Sequence, residues 1–73
     1  MEFRQLEHLV AVCSAGSFSG AAKQLRISQP TLSKSIARLE KHLGLKLFDR
    51  GGGSARPTVY GHAAAEHSAI LLA

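Results

Sequence analysis

The stretch "SQPTLSKS", residues 28–35, gathers much of what this chain offers for recognising an anion. It supplies the hydroxyls of Ser28, Thr31, Ser33 and Ser35, the carboxamide of Gln29 and the ammonium of Lys34, and Arg38 and Lys41 follow. These groups donate hydrogen bonds and carry charge, which is the chemistry of binding. Activated nucleophiles need a base and an orienting acid, and no serine or cysteine here has a histidine and an acid beside it in such a pattern. His8, His42, His62 and His67 are scattered around the single Cys13, without the tight spacing a zinc site wants. The histidines are therefore expected on the surface, and Cys13 as a buried structural thiol. No enzymatic role and no metal are expected.

Groups of this kind need an element that faces them one way. Residues 29–43 read as a helix: Leu32, Ile36, Leu39 and Leu43 are spaced 4, 3 and 4 apart, one apolar seam. Ser28 stands as its N-cap, and Pro30 lies in the first turn, where a missing amide proton costs nothing. Gly44 ends the helix, with Leu45 able to fold back over the last turn. At about 100° per residue, the seam residues fall within about 40° of Leu32, and Pro30, Lys34, Ala37 and Lys41 between about 140° and 200° from it. Ser33 lies on one flank, Thr31 and Arg38 on the other. A major groove admits a helix with such an outward face.

Two shorter helices precede it. One spans Phe3 to Ala15, with an expected apolar stripe of Phe3, Leu6, Val10 and Cys13, Leu9 beside it, and Gly16 as its stop. Ser17 caps the next, Phe18 to Leu25, whose Ala21 and Ala22 permit close helix approach. Only "RI" at 26 and 27 separates it from Ser28. Two helices across so tight a turn, the second basic, describe a helix-turn-helix. After Gly44, "LKLFDR" alternates like a short strand, "GGGS" makes a flexible tip, and "ARPT" returns the chain, so a small hairpin over 45–58 is expected. Pro57 restricts its return strand to an edge or very few residues. Thr58 can cap a last helix from Val59 onward. It closes on "AILLA" without a cap, from which the chain is expected to be cut from something longer.

Composition agrees with binding. The 73 residues are one domain or a fragment of one, 45% apolar, with formal net charge +4. Eight of nine basic residues lie between Lys23 and Arg56, opposed there only by Glu40 and Asp49. That concentration favours an anionic partner. One cysteine allows no internal disulfide and fits a reducing cytoplasm. No apolar run reaches membrane length.

The run "GSFSGAAKQLRISQPTLSKSIARLEKHLGLKLFDR" resembles the N-terminal DNA-binding domain of LysR-type transcriptional regulators, a likeness extending from Phe3 to Arg50 and more loosely through "PTVYG". The resemblance implies a mainly α fold: a winged helix-turn-helix over 1–58, with a three-helix core and small β-hairpin wing, then a linker/dimerisation helix over 59–73. It implies sequence-specific binding to double-stranded DNA at interrupted palindromes, the third helix in the major groove and the wing near the minor groove. Gln29, Pro30, Ser33 and Lys34 would read bases. Ser28, Thr31, Arg38, Arg50 and Arg56 would hold the backbone. The last helix would pair two subunits through Ala63, His67, Ile70 and Leu71, with tetramers at full length. No cofactor is implied for this part, and a small-molecule inducer for a separate C-terminal domain. Pro57 and Tyr60 depart from the family's usual leucine and alanine, and the wing tip is unusually rich in glycine. A winged helix used for protein–protein interaction is the alternative, and it lacks an apolar patch outside the last helix.

Overall fold

The computed structural model describes residues 2–51 and 54–72. Helices α1 (Phe3–Ala15), α2 (Phe18–Leu25) and α3 (Gln29–Leu43) are followed by strands β1 (Phe48–Gly51) and β2 (Ser54–Pro57) and helix α4 (Val59–Leu72). The expected boundaries of α1, α2 and α3 and the expected start of α4 are all observed, and the expected end of α4 at Ala73 lies outside the described residues. Caps explain them. Ser17 Oγ accepts from the Gly20 amide at 3.0 Å, and Ser28 Oγ from the Thr31 amide at 3.2 Å. Gly16 and Gly44 take φ of +75° and +68°, the left-handed conformation that glycine adopts without steric cost. The Leu45 amide reaches back to the Glu40 carbonyl at 3.2 Å, closing α3 as expected. Arg26 bears φ +58° with a side chain, so the α2–α3 turn holds a conformation that non-glycine residues rarely take.

The core forms where α1, α2, α3 and the hairpin meet: Leu9, Val12, Phe18, Ala21, Ala22, Leu32, Ile36, Leu39, Leu47, Phe48 and Ala55. The α3 seam is buried as its spacing requires, except that Leu43 at the last turn is half-buried. The α1 stripe is corrected. Phe3 is 60% exposed, Val10 and Cys13 are half-buried, and Val12 is fully buried. α1 packs against α2, α3 and α4 together, which rotates its buried arc from Leu6 through Leu9 and Val12 to His8. His8 is therefore not a surface residue. Burial of the half-covered Cys13 raises its thiol pKa, which favours the unreactive protonated form.

The hairpin is antiparallel, pairing Phe48 with Pro57, Asp49 with Arg56, Arg50 with Ala55 and Gly51 with Ser54. Its first strand begins at Phe48 rather than Leu45, because Leu47 spends its backbone elsewhere. Its amide donates to Glu40 Oε2 at 2.7 Å, and its carbonyl accepts from the Thr58 amide at 2.9 Å. Of the expected flexible tip, 51–54, Gly51 and Ser54 are instead paired as the ends of the two strands, and Gly52 and Gly53 lie outside the described residues. The Ala55 amide donates to the Gly16 carbonyl at 3.0 Å, fixing the hairpin to the α1–α2 turn. Thr58 Oγ1 accepts from the Gly61 amide at 3.1 Å and donates to the Lys46 carbonyl at 2.6 Å. It thus caps α4 and ties it to the hairpin's root. No described helix is long and apolar enough to cross a membrane.

Candidate nucleic-acid interface

α3 presents one whole side to open space. Pro30, Lys34, Ala37 and Lys41 are all exposed, as are Ser28, Gln29, Thr31 and Arg38, with Ser33 half-buried. Among the described residues nothing packs over this side. The seam opposite is what holds it there, since Leu32 and Leu39 have no solvent exposure. At the front of the helix, Ser28 Oγ donates to Thr31 Oγ1 at 2.8 Å while it accepts from the Thr31 amide. Both hydroxyls are thereby oriented before any ligand arrives.

Two clefts border the helix. The first lies on the wing side, lined by Phe18, Ser19, Gln29, Arg50, Gly51 and Ser54. Here the Arg50 guanidinium carbon sits 3.8 Å from the centre of the Phe18 ring. Phe18 in turn meets Phe48 edge-on, with centroids 5.8 Å apart and planes at 77°. The buried aromatic pair is a platform that fixes the cation beside Gln29. The second cleft lies between α1 and α3, lined by Arg4, His8, Thr31, Lys34, Ser35 and Arg38 among others. At its side His8 Nδ1 and Ser35 Oγ are hydrogen-bonded at 2.6 Å. Burial lowers the His8 pKa; Glu7 opposes this, and Arg4 adds to it.

The site residues expected from sequence thus divide into groups. Ser28, Gln29, Pro30, Thr31, Ser33, Lys34 and Arg38 share α3 and its cap. Arg50 joins them across the wing-side cleft. Arg56 stands apart on β2, exposed, across the ladder from Asp49. Ala63, His67, Ile70 and Leu71 are exposed on α4, and His67 and Leu71 border the seam side of α3 at Leu39 and Leu43. Among the described residues the one contact at ion-pair distance is His62 Nε2 with Glu66 Oε1, at 3.0 Å, so Lys34, Arg38, Lys41, Arg50 and Arg56 have no carboxylate at ion-pair distance. Also among the described residues, no group of three His, Cys, Asp or Glu side chains is placed to hold a metal.

Sequence reasoning missed two contributors. Glu40 is the single acid on α3, and its carboxylate binds the Leu47 and Phe48 amides at 2.7 and 3.3 Å, setting the wing's angle to the helix. Its isolation among cations was the available signal. His8 precedes Val12 by one helical turn, so a stripe that included Val12 would have drawn attention to it.

The model for "Bacterial regulatory helix-turn-helix protein, lysR family" matches residues 3–62. The transcriptional activator protein LysR of Escherichia coli is 49% identical over 61 residues, 84% of this chain and 20% of that protein. The SDS degradation transcriptional activation protein of a Pseudomonas strain is 44% identical over 71 residues, 97% of this chain and 23% of that protein. The chain thus spans about a fifth to a quarter of the length of these curated relatives. The crystal structure of the CbnR DNA-binding domain in complex with DNA superposes with a TM-score of 0.95 at 40% identity, covering 99% of this chain and 83% of that one. The likeness includes the wing and α4 as well as the three-helix core, so the fold is that of a winged helix-turn-helix. This chain belongs to the lysR family of bacterial regulatory helix-turn-helix proteins.

Proposed function

We propose that this chain is the operator-recognition domain of a bacterial transcription regulator and binds double-stranded DNA in a sequence-dependent way. The observation that carries the reading is the outward side of α3, exposed along its length and cationic, with no carboxylate partner among the described residues. Two features add support. The CbnR domain that superposes on this chain is itself in complex with DNA. The width of α3 with its side chains suits a major groove.

In this reading Gln29, Pro30, Ser33 and Lys34 meet base edges. Gln29 pairs with adenine, Lys34 reaches guanine, and the Pro30 carbons pack on a thymine methyl. Ser28, Thr31 and Arg38 hold phosphates beside the groove, and Arg50 and Arg56 bring the wing to the backbone near the minor groove. Residues 1–58 form the DNA-binding unit. From residue 59 onward α4 links and pairs subunits through Ala63, His67, Ile70 and Leu71, so that two copies of α3 face successive grooves of a two-fold operator. The role is binding rather than catalysis, in the bacterial cytoplasm, and an inducer would act through a further domain of the full-length regulator, as a tetramer.

The test is selection from a random duplex library followed by salt titration. One enriched motif with two-fold symmetry, bound more weakly as salt rises, is the expected result. Lys34→Ala should then relax preference at one position by about 1–3 kcal/mol while the domain stays folded. Affinity independent of salt would exclude phosphate contact and overturn the proposal.

A further inference from the structure

The cleft between α1 and α3 has the makings of a phosphate site that includes a residue outside the helix-turn-helix. Arg4, on the first turn of α1, borders it together with Thr31, Lys34 and Arg38 of α3. All four are exposed, and among the described residues none of the three cations has a carboxylate within 4 Å. Glu2 also borders the cleft, leaving its rim with three positive charges against one negative. Three like charges facing one concavity repel each other, and an anion placed between them relieves that repulsion. The Thr31 hydroxyl is there to donate, and it is already held by Ser28 Oγ at 2.8 Å. The spacing of the two helices is fixed locally by the His8–Ser35 hydrogen bond at 2.6 Å, one turn along α1 from Arg4.

The position of the cleft identifies the anion. A helix lying in a major groove is flanked by a phosphate strand on each side. On the wing side of α3 the cation is Arg50, on its Phe18 platform. On the other side, Thr31 and Arg38 occupy one flank of the helix and, with Lys34 at the edge of the outward side, border the cleft across from Arg4. We propose that Arg4 is a DNA-backbone ligand, and that the α1–α3 cleft takes a phosphodiester of the strand opposite the one gripped from the wing. This rests on the DNA-binding reading above and extends its contact surface to α1.

Arg4→Gln and Arg4→Lys should be compared with the unmodified chain on the selected duplex and on unrelated duplexes. Loss of one phosphate contact reduces the slope of log affinity against log salt by about 0.9, which is about an eightfold weakening at 0.1 M salt. The expected result is that loss for Arg4→Gln, equal on every duplex, with Arg4→Lys close to the unmodified chain. A purely structural role would change the urea midpoint and leave the salt slope alone. If the unmodified chain binds with a clear salt slope and Arg4→Gln matches it in slope and affinity, the Arg4 proposal falls and DNA binding stands. If the unmodified chain binds no duplex from the library, both fall.

Discussion

Gly61 lies directly against the backbone of Leu47. A Cβ built on Gly61 would collide with the Leu47 carbonyl oxygen and also come within 2.9 Å of its carbonyl carbon. That oxygen already accepts the Thr58 amide, so it cannot turn aside without breaking the joint between hairpin and α4. The first turn of α4 therefore sits where it does because residue 61 has no side chain.

Gly61→Ala should accordingly cost about 1–3 kcal/mol or more, as overpacking against an immovable neighbour does. Urea unfolding followed by circular dichroism measures it. Gly51→Ala is the control: among the described residues nothing lies within 4 Å of the added carbon, so its effect should stay within about 0.5 kcal/mol. Equal midpoints for the two variants would mean that α4 is not seated on Leu47.

The Glu40 carboxylate makes a second prediction. It is the acceptor for the amides of fully buried Leu47 and of Phe48. Glu40→Ala leaves both without that partner, at about 1–3 kcal/mol for each amide that stays buried. Glu40→Gln retains an acceptor and loses only the charge assistance, so it should be the milder change. Amide hydrogen exchange at Leu47 and Phe48 should accelerate in the alanine variant before the rest of the domain responds. Unchanged exchange at those two amides would contradict the assignment.

These joints mark the boundary of what the sequence reveals. Helix ends were legible because caps are local: Ser17, Ser28 and Thr58 act within three residues, and Gly16 and Gly44 act on their own backbone. The outward side of α3 was legible because one seam fixes a helix's rotation. The buried arc of α1 was not, since a helix gripped by three elements has no single seam, and its own wheel does not reveal which neighbours will arrive. His8 found its partner 27 residues away, and Glu40 across the α3 stop. The start of β1 was misplaced for the same reason: alternation marks residues able to form a strand, and Leu47 had its amide and carbonyl committed to Glu40 and Thr58.

The burial of His8 implies a pH dependence of stability. Desolvation is the main cause of its lowered pKa; Glu7 opposes the shift and Arg4 reinforces it. In the unfolded chain the imidazole titrates near about 6.5. Above that value both states are neutral at this position and its contribution to stability is complete. As pH falls below it, the unfolded chain takes up the proton first, and stability declines until the lowered folded-state value is reached. The urea midpoint should therefore drop between pH 7 and pH 5, and His8→Gln should flatten part of that drop. An identical slope in the variant would assign the effect to other groups.

The exposed side of α4 supports a final prediction about assembly. Ile70 and Leu71 are 74% and 54% exposed, while Gly61 and Ser68 are buried on the side that faces the domain. Leu71 and His67 also edge an apolar groove formed with Leu6, Leu43 and Leu45. Two apolar side chains left at the surface on one helix end favour association, and a two-fold contact would cover both at once. Leu71→Asp together with Ile70→Asp should shift a dimer to monomer in sedimentation equilibrium. The circular dichroism spectrum should be retained, because neither residue belongs to the core cluster. The monomer should still bind a half-site, with the steep affinity for the full palindrome lost, since the two recognition helices would no longer be linked. A double variant that remains dimeric would move the subunit contact to another face.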